Sequence, residues 1–167
     1  MVGGSQRIML PANTKALRVA VYDAGGVGGN GPRNLDRVFR NMKNVVVRRV
    51  GVEDIGDGVL NQFDLAIFPG GSGSKQAAAL QPAGQEAVQK FVKEGGGFVG
   101  ICAGAFLAAA NYKWSLAISN HKTYCETINL PEIGKKSMWF RGNSAPVKME
   151  LTDEGRRILG DKKGVFE

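Results

Sequence analysis

The chain has 167 residues, 43% of them hydrophobic, with a formal net charge of +7. That length suits one domain with a core of its own, and the apolar fraction excludes wholesale disorder. The 24 glycines cluster at turns without a period, which excludes collagen.

The positive charge raises the question of nucleic acid, but the basic residues are scattered. Arg33, Arg37, Arg40 and Lys43 are followed by Arg48 and Arg49, then by Lys135 and Lys136, then by Arg156, Arg157, Lys162 and Lys163. No aromatic residues interleave with them as a base-stacking platform requires, so they read as solvated faces and no nucleic-acid partner is expected. Cys102 and Cys125 make no disulfide framework, and a single histidine, His121, leaves no ligand cluster; neither a metal nor another cofactor is expected. The longest apolar runs fall far below a membrane span, so no membrane partner is expected either. Residues 1–16 lack the pattern of a secretion signal and read as a flexible leader. A soluble, cytoplasmic location is the default expectation, leaving open a signal already removed.

In chain order, Leu17 to Tyr22 reads as a first strand, followed by Asp23 and a long glycine loop to Gly31. Pro32 is placed to open a helix on which Leu35, Val38, Phe39 and Met42 recur at helical spacing. Val45 to Val50 is a second strand, and Gly51 to Gln62 an irregular connection with a helical turn. Asp64 to Phe68 is a third strand ending in Pro69-Gly70-Gly71-Ser72-Gly73-Ser74. A helix from about Pro82 to Glu94 follows, its buried stripe formed by Ala83, Ala87, Val88, Phe91 and Val92. Phe98 to Ile101 is a fourth strand, and Ala103 to Ala110 a helix of small residues. This alternation predicts a parallel sheet covered on both faces, with functional groups at the carboxyl ends of its strands. Asp23, the Gly70–Ser74 loop and Cys102 all lie at such ends. Beyond Asn111 the pattern changes to short strands at Trp114–Ile118, Tyr124–Asn129, Ser137–Phe140 and Val147–Leu151. A short helix over Thr152–Leu159, capped by Thr152, comes next. Val165 opens one more strand-like run.

The densest chemical signal is Gly100-Ile101-Cys102-Ala103-Gly104, a cysteine counterpart of the G-x-S-x-G nucleophile elbow in its strand–turn–helix context. The chain doubles back there, so residues without bulk are needed on either side. The start of the following helix favours a thiolate. The alternative is an inert, buried cysteine beside a glycine turn. Two other glycine motifs compete for attention. Gly26-Val27-Gly28-Gly29-Asn30-Gly31 matches G-x-G-x-x-G, but Pro32 comes where a dinucleotide-binding helix would be established, so a loop lining the cleft is the reading taken. The Gly70 to Lys75 segment fails the phosphate-loop pattern, although its N–H groups could bind an oxyanion.

Phe68-Pro69-Gly70-Gly71 and Gly96 to Ala105, with Val21-Tyr22-Asp23 and the later Trp139-Phe140-Arg141-Gly142 and Val147 to Thr152, resemble the class I glutamine amidotransferase-like superfamily. Within it they are most similar to the domain at the N-terminus of some biotin–protein ligases, also found as a stand-alone bacterial protein. The resemblance runs from Leu17 through most of the chain and implies one domain over 17–167. It implies a three-layer α/β/α, flavodoxin-like sheet with Cys102 as nucleophile and an oxyanion hole from the N–H groups of Gly71 and Ala103, flanked by Gly70 and Gly104. It does not imply biotin ligation, because the ligase's catalytic domain has no counterpart here. The amidotransferase His-x-Glu pair is also missing, so the sheet is expected to lack its C-terminal portion. His121 and Asp23 are the candidates for moving the proton. Two functions stay open: a cysteine enzyme acting on an amide or ester carbonyl, or a binding or interaction module that keeps the fold and pocket. An open apolar sheet edge would also allow a homo-oligomer.

Overall fold

The structure, a computed structural model, describes residues 16–123, 127–136 and 151–160. The chain divides into two compact units, residues 1–123 and 124–167. The expected leader falls outside the described residues, as do Cys125, the predicted strand at Ser137–Phe140, nearly all of that at Val147–Leu151, and the run at Val165.

The first unit is an α/β/α arrangement. Four parallel strands, β1 (Leu17–Tyr22), β2 (Val45–Val50), β3 (Leu65–Phe68) and β4 (Gly97–Gly100), lie in the order β2-β1-β3-β4. Central β1 is buried on both faces, which is why it reads as a nearly unbroken apolar run. Its side chains alternate. Val19 and Val21 join Ile67 on one face, packed by Leu35 and Phe39 of α1 (Gly31–Phe39). Ala20 and Tyr22 point to the other face and join Ala66 and Phe68. There they meet Ile55 of α2 (Val52–Gly56), Leu80, Val88 and Phe91 of α3 (Gly73–Lys93), and Leu107 of α4 (Ala103–Ala108). On this face Tyr22, Phe68 and Phe98 stack across three strands, with ring centroids 4.9 and 5.2 Å apart. Burial pushes the Tyr22 hydroxyl up to about 12, and the hydroxyl donates to the Gly25 carbonyl at 2.8 Å.

Several expected details change. Val38 and Met42 are exposed, because α1 needs only a narrow stripe, Pro32, Leu35 and Phe39, to cover its face. The helix expected from Pro82 is present, but a further helical segment that was not expected precedes it from Gly73, the two together making α3. Lys75 to Leu80 is good helix-forming sequence; the chain leaves helical geometry at Gln81 (φ 55°, ψ 175°), and Pro82 opens the second helical segment as expected. Ala83 is exposed, however, and Gly84 takes the buried position. The helix after Cys102 ends at Ala108, two residues short of the expected boundary. Trp114–Ile118 is not a strand. Leu116 N–H donates to Leu107 carbonyl at 2.8 Å and Ala117 N–H to Ala109 carbonyl at 3.2 Å, so this apolar segment satisfies its backbone on the end of α4.

In the second unit, β5 (Ile128–Leu130) and β6 (Gly134–Lys136) form an antiparallel pair. Gly134, expected to mark a turn, is the first residue of β6, and it has a positive φ of 80°. Helix α5 (Asp153–Leu159) is capped as expected, with Thr152 Oγ1 accepting from Gly155 N–H at 3.1 Å. Among the described residues no helix is long and apolar enough to cross a membrane.

Arg18, the one charged residue of β1, is explained by Asp64. The guanidinium donates to both carboxylate oxygens, at 3.0 and 2.5 Å, and the Arg18 N–H adds a third bond at 2.8 Å. This fork holds the Asp64 carboxyl below its usual range, chiefly through the hydrogen bond from the Arg18 side chain. A depressed carboxyl stabilises the fold above its unfolded value, about 3.9, and that contribution is lost as pH falls through the lower folded value. Wild-type protein should therefore lose more thermal stability between pH 5 and pH 3 than Asp64→Asn does. Parallel acid limbs for the two proteins would show that the fork contributes nothing.

Candidate functional site

Because β1, β3 and β4 run parallel side by side, the loops leaving their carboxyl ends gather at one edge of the sheet. Cys102 is the N-cap of α4, with φ 53° and ψ −106°, a conformation that L side chains rarely adopt. Two close approaches force it. A Cβ on Gly100 would lie 2.4 Å from the Gly104 carbonyl carbon, and one on Gly104 would lie 2.1 Å from the Phe68 oxygen. Strand and helix are thus pressed together, and the residue between them must take the strained turn. The Cys102 carbonyl accepts from Ala105 N–H at 3.1 Å, while the side chain is exposed.

The loop after β3 comes up beside the thiol. A Cβ on Gly70 would stand 3.4 Å from Cys102 Cβ and 3.8 Å from Sγ, so Gly70 and Cys102 are immediate neighbours. Gly71 has φ 142°, and a Cβ there would fall 2.1 Å from the Gly26 oxygen. The glycine loop after β1 and the loop after β3 meet in a short antiparallel bridge at Val27 and Gly71. It is closed by Gly28 N–H to Gly70 carbonyl at 3.0 Å and Ser72 N–H to Gly26 carbonyl at 2.8 Å. In this bridge Gly71 N–H is not used. Nor is that of Ala103, the first residue of α4, since the hydrogen bonds of this turn begin with Gly104 N–H donating to Ile101 carbonyl at 3.1 Å. Beside the start of α3, Trp114 stacks on Tyr112 at 4.6 Å. A Cβ on Gly73 would touch both the Trp114 ring and the Ala103 oxygen at 3.0 Å.

Cys102, Gly70, Gly71, Ala103 and Gly104 are therefore brought together. The other two candidates have partners elsewhere. Asp23 accepts from Arg49 of β2 at 2.9 Å, and Arg49 also pairs with Asp36 of α1. That directs Asp23 toward the β2 side, while Cys102 follows β4, two strands away on the opposite side and roughly 10 Å across the sheet. His121 Nδ1 is 2.8 Å from Ser119 Oγ, and its carbonyl accepts from Ala110 N–H at 3.0 Å. Ala110 lies past the C-terminal end of α4, whereas Cys102 stands at its N-terminal end, with roughly 9 Å of helix between. Among the described residues no hydrogen bond joins Cys102 to His121 or Asp23. Nor do three His, Cys, Asp or Glu side chains gather there as a metal site.

Sequence reasoning did not find Arg49, Ser119 or Gln76. Gln76 is fully buried, and its Nε2 donates to the Pro69 carbonyl at 2.8 Å. A glutamine on a helix carries no local sign of such a role. The contact depends on a helix that starts at Gly73, where none was expected.

Residues 17–126 match the family described as Biotin-protein ligase, N terminal. Among solved structures the chain is similar to a protein assigned as peptidase E from Listeria monocytogenes EGD-e, at 15% identity with a TM-score of 0.49. The match covers 60% of this chain and 54% of that protein's length. No curated protein sequence matches this chain.

Proposed function

The chain belongs to the biotin-protein ligase N-terminal family, and from that premise we propose that Cys102 is a nucleophile for an amide or ester carbonyl. In this reading the Gly71 and Ala103 N–H groups hold the oxyanion, and Gly70 and Gly104 give the room that the approach needs. The observation that carries it is the left-handed turn at Cys102, which exposes the thiol directly against Gly70. A fold keeps a strained residue of this kind only where its surroundings over-determine it, and such residues concentrate at active sites. The attack forms a bond from sulfur to the carbonyl carbon and moves the carbonyl electron pair onto oxygen. Collapse then expels the amine or alcohol and leaves a thioester, which water hydrolyses. A second reading, a binding or interaction module with an intact pocket, draws support from the other two candidates, since Asp23 is held by Arg49 and His121 by Ser119.

An activated ester separates the two readings. With p-nitrophenyl acetate, the enzyme reading expects a burst of about one nitrophenolate per chain and an acetyl group mapped to Cys102, both absent in Cys102→Ala. His121→Ala should leave the burst rate within about twofold, because its ring is held by Ser119 beyond the far end of α4. A loss of tenfold or more in folded His121→Ala would make the histidine the base after all. Absence of any acyl-enzyme in wild type would favour the binding module.

A further inference from the structure

The glycine loop between β1 and α1 has so far only lined the cleft, and buried Gln76 has had no role; the hydrogen bonds between them and the Pro69–Ser72 segment supply one. In a trans peptide the N–H points opposite to the carbonyl of the same unit, so holding one aims the other. The Gly70 carbonyl accepts from Gly28 N–H at 3.0 Å, which turns Gly71 N–H away from the glycine loop. The Pro69 carbonyl accepts from Gln76 Nε2 at 2.8 Å, which turns Gly70 N–H away from α3. Ser72 N–H, bound to the Gly26 carbonyl at 2.8 Å, holds the third consecutive peptide. Two adjacent glycines would otherwise leave these planes free to rotate. Gln76 is 0% exposed, yet its Oε1 has no hydrogen-bond partner among the described residues. A buried orphan oxygen is unfavourable and calls for an explanation. The Nε2 bond to Pro69 is one.

We infer that Gln76 and the Gly26–Gly28 segment form a two-sided brace that aims the Gly71 N–H at the oxyanion beside Cys102. Gln76 is a positioning residue in this scheme and touches no reacting atom. The inference rests on the oxyanion reading proposed above, so its test must be able to fail separately.

The probe is acetaldehyde labelled with ¹³C at the carbonyl, observed by NMR. Addition of the Cys102 thiol forms a carbon–sulfur bond, moves the carbonyl electron pair onto oxygen and places a proton there, giving a hemithioacetal with no leaving group and no oxidant. Methyl methanethiosulfonate, which has no carbonyl, reports thiol reactivity without an oxyanion. Gln76→Met removes the clamp together with the orphan oxygen. Gly28→Ala presses from the other side, since its Cβ would stand 3.1 Å from Gly71 Cα. Loss of one oxyanion donor costs about 10²–10³ in rate, so a misaimed donor should weaken the adduct by at least about tenfold in both variants. Their reaction with the thiosulfonate should stay within about twofold of wild type, and Gln76→Met should melt close to wild type, because the orphan oxygen it removes offsets the Pro69 carbonyl it leaves unpaired. Should Gln76→Met fail to fold, Gly28→Ala carries the test. Unchanged aldehyde affinity in the folded variants, or thiosulfonate reactivity falling in parallel with it, overturns the brace and leaves Cys102 as nucleophile. A wild-type protein that forms no hemithioacetal at Cys102 overturns the nucleophile reading itself, and the brace with it.

Discussion

Gly104→Ala is expected to destabilise the protein by about 3 kcal/mol or more, a cost at or beyond the upper end of ordinary overpacking. Helix propensity alone would favour the alanine by about 1 kcal/mol. Packing wins because the added carbon would lie 2.1 Å from the main-chain oxygen of Phe68. That oxygen cannot retreat cheaply. It accepts from Ile101 N–H at 2.9 Å, and Phe68 pairs with Gly100 where β3 and β4 end. Gly56→Ala is the control, because that position in α2 has open space within 4 Å of the new carbon. It should be neutral or stabilising by up to about 1 kcal/mol. Chemical denaturation of both variants measures the contrast. Equal midpoints would mean that strand and helix at the elbow are not in the close contact described here.

Cys102→Gly should separate stability from reactivity. A side chain at φ 53° and ψ −106° carries strain of about 1–3 kcal/mol, which glycine relieves. Glycine also brings an unfolded-state entropy cost of about 0.5–1 kcal/mol. The net expectation is a gain of about 1 kcal/mol, together with complete loss of covalent labelling at this position. Cys102→Ala, which keeps a Cβ and hence the strain, should lose labelling without that gain. Thermal melts of the two variants side by side test the point. A Cys102→Gly protein less stable than Cys102→Ala would remove the argument that the turn is held against its preference, and with it the main support for a functional cysteine.

What could be read locally was read from the chain alone. The runs at Leu17–Tyr22 and Val45–Val50 coincide with β1 and β2: β1 is central and has no polar alternation to blur it, while edge strand β2 is marked by its valines despite the exposed Arg48 and Arg49. The elbow was also legible, since its steric requirement falls on Gly100 and Gly104, two residues from the cysteine on either side. Tertiary structure decided the rest. Pro82 opens the second segment of α3 as its preference for a first helical turn indicates, but the segment from Gly73 lay hidden behind the glycine- and serine-rich stretch Gly70–Ser74. Asp23 stands at a strand end as read, but Arg49, 26 residues away, sets the direction of its carboxylate. Ser119 meets the His121 ring across only two residues, but it is the folding of the segment back on the end of α4 that places the pair there. The Gly26–Gly28 loop reaches the Pro69–Ser72 peptides through hydrogen bonds between backbone groups, which carry no sequence signature, and Gln76 reaches them through its side-chain amide. A sequence records side chains; the direction of a peptide N–H is settled only when the chains that hold its carbonyl have come together.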